Sequence, residues 1–263
     1  MPKSYFVWKV SPEIFHVGFF TLRWYSICFM LAFIFGFFIL DRMFKKEHVP
    51  ELFLNDLFYY VFISTVIGAR LGHCLFYEPV YYFHHPLEIL QVWRGGLASH
   101  GAAIGILIAI YLLSKKNKRY SYLWILDRVV IVVASGGFFI RVGNLFNSEI
   151  IGKTTDVPWA FIFARVDLLP RHPTQLYEAL AYLTVFGLLM FVYTKYAGKP
   201  AEGLLFGLFL IGVFTSRFCI EFLKENQSAF ESGMILNMGQ ILSIPFVLSG
   251  IWFVFRTRRL RRS

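Results

Sequence analysis

Seven runs of about 20 mostly apolar residues punctuate this chain, and about 20 residues is what a helix needs to cross the hydrocarbon core of a bilayer. They fall at roughly 19–40, 56–77, 95–113, 123–140, 176–194, 203–222 and 237–255. Composition supports reading them as spans: 57% of the 263 residues are hydrophobic, 16% are charged and mean hydropathy is +0.59. Soluble domains carry about 25% charged residues. Disordered, coiled-coil, collagen-like and disulfide-scaffold chains are excluded. The expected fold is an all-α polytopic membrane protein with seven transmembrane helices, residues 1–263 forming a single membrane-embedded domain. The fourth span is the weakest, because Asp127 and Arg128 sit near its start. The connection 141–175 is too long to be an idle loop. Its apolar patch, Val157 to Ala164, suits a strand or a small lipid-facing element, so a small folded cap is expected there.

Basic residues decide how such a bundle points, since cytoplasmic loops collect Lys and Arg. Arg42, Lys45, Lys46, Lys115, Lys116, Lys118, Arg119, Lys195, Lys199, Arg256, Arg258, Arg259, Arg261 and Arg262 put 14 on one side. Lys3, Lys9, Arg94, Lys153, Arg165, Arg171 and Lys224 put 7 on the other. The expected orientation has a cytoplasmic C-terminus and, with seven spans, an extracytoplasmic N-terminus and cap. Loop bias also accounts for the net charge of +10 without a nucleic-acid partner. Membrane lipid, anionic lipid included, is the partner that such a charge suits. Cys28, Cys74 and Cys219 lie in apolar stretches and read as packing residues. The sequence has no CxxC pair and no HExxH metal signature. Its first fifteen residues mix Lys3, Lys9, Pro12 and Glu13, so no cleavable signal peptide is expected.

Ionisable and polar groups inside spans are costly and mark functional sites. In this orientation Tyr25, Arg70, Tyr77, His100, Arg141, His172, Gln175, Arg217, Glu221 and Gln240 all belong to the outer leaflet. His100 is expected about five residues, roughly 7–8 Å, inside the third span, and no other span histidine is expected to have a comparable place. Gly68 and Gly72, Gly101 and Gly105, and Gly203 and Gly207 are small-xxx-small pairs that let helices approach closely. Gln175 and Gln240 suit hydrogen bonds between helices. His84 and His85 are expected to face water or headgroups from an outer loop.

The densest polar cluster follows the fourth span: Arg141-Val142-Gly143-Asn144-Leu145-Phe146-Asn147-Ser148-Glu149-Ile150-Ile151-Gly152. It resembles the signature of bacterial prolipoprotein diacylglyceryl transferases, with Arg141, Gly143, Asn144, Asn147, Glu149 and Gly152 at the matching positions. Further likenesses come in the same chain order: Arg23-Trp24-Tyr25, Gly68-Ala69-Arg70-Leu71-Gly72, Gly95 to Gly101, His172 to Glu178, Arg217-Phe218-Cys219-Ile220-Glu221 and Met238-Gly239-Gln240. The chain departs from the family pattern at Ile140, Ile151 and Ala102, none of which removes a functional group. The resemblance implies transfer of the diacylglyceryl group of phosphatidylglycerol to the lipobox cysteine thiol of a prolipoprotein signal peptide. Glycerol phosphate would be released, in the plasma (inner) membrane, with no metal or soluble cofactor.

That reaction needs an anion site for the lipid phosphate and a means of activating a thiol. Arginine's planar fork suits phosphate, and Arg141 is the first candidate, Arg217 the second. The simpler role for Arg141 is a snorkelling arginine at a helix end. Arg217 and Glu221, four apart, can form an intrahelical ion pair. His100 is the candidate base for the thiol; lipid positioning and plain packing are its other roles, and the arginines can also lower the thiol's pKa. Tyr25 can donate a hydrogen bond to phosphate or glycerol oxygen. Asn144 and Asn147 suit glycerol hydroxyls and backbone in a turn, where Gly143 and Gly152 would permit tight or left-handed backbone. Glu149, Gly152, Arg70 and Glu221 complete the expected substrate-binding set. Two other classes compete with the transferase: a small transporter or channel for an anionic solute, since basic residues in spans also line transport paths, and a noncatalytic lipid-binding scaffold.

Overall fold

The computed structural model describes residues 4–18, 20–92, 95–226 and 233–260; Lys3, Arg94, Arg261 and Arg262 of the charge count lie outside them. The protein is mostly helical, with helices α1 (Trp24–Lys46), α2 (Glu51–Phe76), α3 (Pro79–His84), α4 (Ser99–Lys116), α5 (Tyr122–Asn147), α6 (Thr174–Lys195), α7 (Leu204–Glu221) and α8 (Met238–Leu260). Short strands β1 (Phe6–Trp8), β2 (Glu13–Val17), β3 (Phe20–Arg23), β4 (Phe161–Phe163) and β5 (Pro170–Arg171) accompany them. Six helices, α1, α2, α5, α6, α7 and α8, are long and apolar enough to cross a membrane. The expected count is seven, and α4 is the helix that falls short. Its 18 residues begin with Ser99-His100 and end with Lys115-Lys116, which dilutes the apolar run between them.

The chain divides into two compact units, one of residues 40–126 and the other of residues 1–39 with 127–263. In the larger unit the first span starts later than the sequence predicts, because Phe20–Arg23 pairs with Glu13–Val17 as an antiparallel hairpin. β1 runs parallel to β4, and β4 antiparallel to β5. The predicted apolar patch thus contains a strand, and the N-terminal strands were not foreseen. Trp8 and Trp24 both pack on Phe146, at 5.7 and 4.9 Å between ring centroids, so this sheet and the start of α1 anchor the end of α5.

α5 continues seven residues beyond the predicted end at 140, so Arg141 to Asn147 lie on its last two turns and the folded connection begins only at Ser148. The charges that weakened this span are absorbed within the unit. The Asp127 carboxylate accepts backbone hydrogen bonds from Gly203 and Phe206, both 2.8 Å, and so caps α7 from another helix. Arg128 donates to the Gly198 carbonyl at 2.9 Å. Unpaired N–H groups at a helix start are costly when buried, and a carboxylate there also suits the helix dipole.

In the smaller unit α2 and α4 pack antiparallel along their glycines. A Cβ on Gly101 would collide with the carbonyl oxygen of Gly68, and one on Gly105 with that of Ser64. Contact this close needs glycine on both helices, so the small-xxx-small reading of these pairs holds.

Candidate active site

The signature residues form one connected polar network in the larger unit. Arg141 meets Glu178 of α6 through Nε at 2.9 Å, an ion pair whose carboxylate side chain is fully buried. Its Nη1 donates to Asn144 Oδ1 at 2.9 Å. Asn144 Nδ2 in turn donates to Glu149 Oε1 at 2.6 Å, which also accepts from Asn147 Nδ2 at 3.2 Å. The guanidinium lies 5.8 Å from the ring centre of Tyr182. On the far side of Glu178, Lys224 Nζ donates to Oε1 at 2.7 Å and to Glu221 Oε2 at 3.0 Å. The sequence of contacts is therefore Glu149, Asn144, Arg141, Glu178, Lys224, Glu221. Sequence reasoning met Glu178 only as the end of a family likeness and Lys224 only as a loop charge, and gave neither a place in the site; the available signal was a carboxylate inside an apolar span, which has to find a cation.

The network also corrects the expected intrahelical pair. Glu221 partners Lys224 rather than Arg217, because α7 ends at Glu221 and the chain folds back through an isolated bridge between Gly152 and Lys224. Arg217, half-buried and one turn earlier, has no ion pair or hydrogen bond among the described residues. Tyr25, at the second position of α1, is half-buried, and its hydroxyl likewise has no partner among the described residues.

Gly143 and Gly152 allow close approach rather than left-handed backbone, the first of the two expected uses. Neither has a positive φ; the left-handed residues here are Ser148 (φ 54°) and Ile150 (φ 57°). Gly143 makes room instead, since a Cβ there would stand 2.8 Å from the Tyr25 ring. Gly152 lies against the backbone of His172 and Leu223. The connection is held from below by Gln175, whose Nε2 donates to the Glu149 carbonyl at 2.7 Å, and by Thr174, whose hydroxyl donates to the Ile150 carbonyl at 2.8 Å. Gln240 exchanges hydrogen bonds with Asn237 at the start of α8. Both glutamines thus bond to backbone at loops and helix starts, where the sequence suggested helix-to-helix contacts.

Arg171 ties the connection to the end of α7, pairing with Asp167 at 2.6 Å and Glu225 at 2.7 Å and donating to the Gly152 carbonyl at 3.1 Å. Its hydrogen bond holds the Asp167 carboxyl below the usual carboxylate range. Burial pushes the His172 imidazole down; its Nδ1 lies 3.2 Å from the Tyr177 hydroxyl.

Arg70 and His100 belong to the smaller unit. Arg70 is buried, and its guanidinium donates to the carbonyls of Glu88, Ile89, Gly95 and Gly96 at 2.6–3.3 Å. Those bonds fold the chain between α3 and α4 onto α2. Gly95 and Gly96 both have positive φ (88° and 66°), and this left-handed pair delays the start of α4 to Ser99. His100 is consequently exposed in the helix's first turn rather than five residues inside a span. His73 of α2 shares its surroundings: both imidazoles pack on the Tyr77 ring. His100 is therefore not alone among span histidines in its placement. Among the described residues no group of three or more His, Cys, Asp or Glu side chains is placed to hold a metal ion.

The family model for prolipoprotein diacylglyceryl transferase matches residues 12–256. The phosphatidylglycerol–prolipoprotein diacylglyceryl transferase of Chloroherpeton thalassium is 51% identical over 254 residues, covering 97% of this chain and 95% of the relative. The proteins of the same name from Tolumonas auensis and Bacteroides fragilis are 47% and 45% identical, over 93% and 94% of this chain and 94% of each relative. A match that runs through every element bearing the network and the two imidazoles leaves one assignment: the chain belongs to the prolipoprotein diacylglyceryl transferase family.

Proposed function

We propose that the chain transfers the diacylglyceryl group of phosphatidylglycerol to the lipobox cysteine of prolipoproteins, forming a thioether and releasing glycerol phosphate, the first step of lipoprotein maturation. The observation that carries this reading is the 51% identity along 97% of the chain to a relative named for that reaction. The client sulfur forms a bond to the glyceryl carbon as the carbon–oxygen bond to phosphate breaks. The bonding pair leaves on the phosphate, and the thiol proton passes to a base. Arg217 offers donors that no described residue uses, and Arg141 offers a guanidinium fixed by Glu178 and Asn144. Fixed cations stabilise the charge that grows on the leaving phosphate more than they stabilise the bound lipid. Tyr25 donates to phosphate or glycerol oxygen, and His100 takes the thiol proton. Asn144, Asn147, Glu149, Gly152 and Glu221 shape the binding surface, and Arg70 acts through the segment it folds. Residues 1–263 act as a single membrane-embedded transferase domain. Incubating the purified protein with labelled phosphatidylglycerol and a lipobox peptide tests the reading; a peptide that stays unlabelled sinks it. The transporter alternative loses its support with the family assignment.

Arg141→Lys is expected to cost tenfold or more in transfer while the protein still accumulates. Lysine keeps the charge but cannot meet Glu178, Asn144 and a phosphate together, and one charge-assisted hydrogen bond contributes on the order of 1.5–3 kcal/mol. Near-wild-type transfer by a well-expressed Arg141→Lys protein would take Arg141 out of the phosphate site.

The protein belongs in the bacterial plasma (inner) membrane, with α4 as a seventh span, since 18 residues reach about 27 Å against a core of about 30 Å. The N-terminus and the 148–173 connection are then extracytoplasmic and the C-terminus cytoplasmic, as the basic loops favour. A reporter fused after Ser263 should be active only if it works in the cytoplasm. Periplasmic activity from that fusion would reverse the orientation.

A further inference from the structure

Two imidazoles lie against the ring of Tyr77. His100 approaches it tilted, with centroids 5.8 Å apart, and meets the edge of Phe76 at 5.3 Å. His73, one turn before Tyr77 on α2, stacks on the same ring at 5.6 Å with the planes 19° apart. Tyr77 is 65% exposed, so no enclosing core sets its rotamer and its ring neighbours must. His73 is held more firmly. It is half-buried, meets the edge of Tyr82 at 6.1 Å, and lies so near Gly96 that a Cβ there would come within 2.6 Å of its ring. Gly96 is fixed in turn by Arg70, which also sits over the Tyr82 ring at 4.9 Å. Neither imidazole has a hydrogen-bond partner among the described residues, so ring packing is what orients both.

We propose that His73 is a positioning residue for the transfer reaction: its flat ring fixes Tyr77, and Tyr77 fixes the His100 imidazole that faces the client thiol. The order of support runs from Arg70 through Gly96, His73 and Tyr77 to His100, each step a contact within the smaller unit. The inference rests on His100 serving the thiol and adds a residue that the family signature segments do not include. An aromatic stack of this kind sets a scale of about fivefold in rate when its orienting effect is lost.

The test is a double-mutant cycle on the purified full-length protein, with kcat and KM measured for phosphatidylglycerol and a lipobox peptide. His73→Ala should lower kcat about fivefold with KM little changed, and His73→Phe should recover most of that loss, because phenylalanine keeps the flat face. In a His100→Gln background His73→Ala should cost nothing further, since nothing remains for it to orient. If His73→Ala fails to accumulate, His73→Leu replaces it, keeping bulk without a planar ring. The same loss in both backgrounds would make His73 an independent structural residue and overturn the proposal. A His73→Phe protein as slow as His73→Ala would also overturn it, because the ring nitrogens would then be needed for themselves. The base role of His100 is read separately, from the pH profiles of wild type and His100→Gln, so the two ideas fail by different measurements.

Discussion

His100→Gln is expected to slow transfer about a hundredfold or more while phosphatidylglycerol still binds, the usual contribution of a general base. Glutamine preserves a polar group in the first turn of α4 but cannot take a proton. His100 is exposed there beside Phe76 and Tyr77 and has no partner among the described residues, so it is open to a client peptide. A thiol with an unperturbed pKa near 8.5 is mostly protonated at neutral pH. Raising the pH should therefore restore part of the mutant's rate, as the peptide thiol ionises without help. The sign matters: the ratio of wild-type to mutant rate must shrink as pH rises. Two profiles that run parallel, separated by a constant factor, would leave His100 as a positioning residue and assign thiol activation to the arginines.

The helices were legible because long apolar runs announce themselves, and each of the seven predicted runs coincides with a long helix, six of them long and apolar enough to cross a membrane. Their ends were not. Whether a helix stops at 140 or 147 depends on what receives its polar last turns, and Arg141 is received by Glu178, which belongs to the next helix. The start of α4 depended on two left-handed glycines whose conformation is set by Arg70 at a distance of 25 residues in sequence. Local pattern cannot report either. The same limit hid the pairing of the charges. Arg217 and Glu221 stand at ideal ion-pair spacing, yet Lys224 takes the carboxylate, because the chain after α7 turns back beside Gly152. The signature itself was readable as a motif, but its wiring through Glu178 and Lys224 was not, since both lie outside it.

That wiring makes Glu178 the residue whose loss should be felt most in stability. It is fully buried and stands between two cations, Arg141 at 2.9 Å and Lys224 at 2.7 Å, with Lys224 itself 1% exposed in its side chain. Removing one partner of a buried pair leaves an uncompensated charge and costs about 3–5 kcal/mol. Glu178→Gln keeps the shape and some hydrogen bonding but not the charge, so unfolding of the purified protein in detergent or nanodiscs should shift to markedly lower temperature. Transfer should fall as well, because Arg141 loses the contact that holds its guanidinium. The second substitution discriminates. Lys224→Met alone should destabilise, leaving Glu178 and Glu221 without their shared cation, but placed on Glu178→Gln it removes a buried ammonium that has already lost one of its two carboxylates. The double mutant should therefore recover part of the stability that Glu178→Gln loses, a coupling in the range of about 0.5–3 kcal/mol expected for residues sharing one network. Strict additivity of the two losses would mean that the charges do not act together, and the contacts from Glu149 to Glu221 would then be neighbours in space without being a single electrostatic unit.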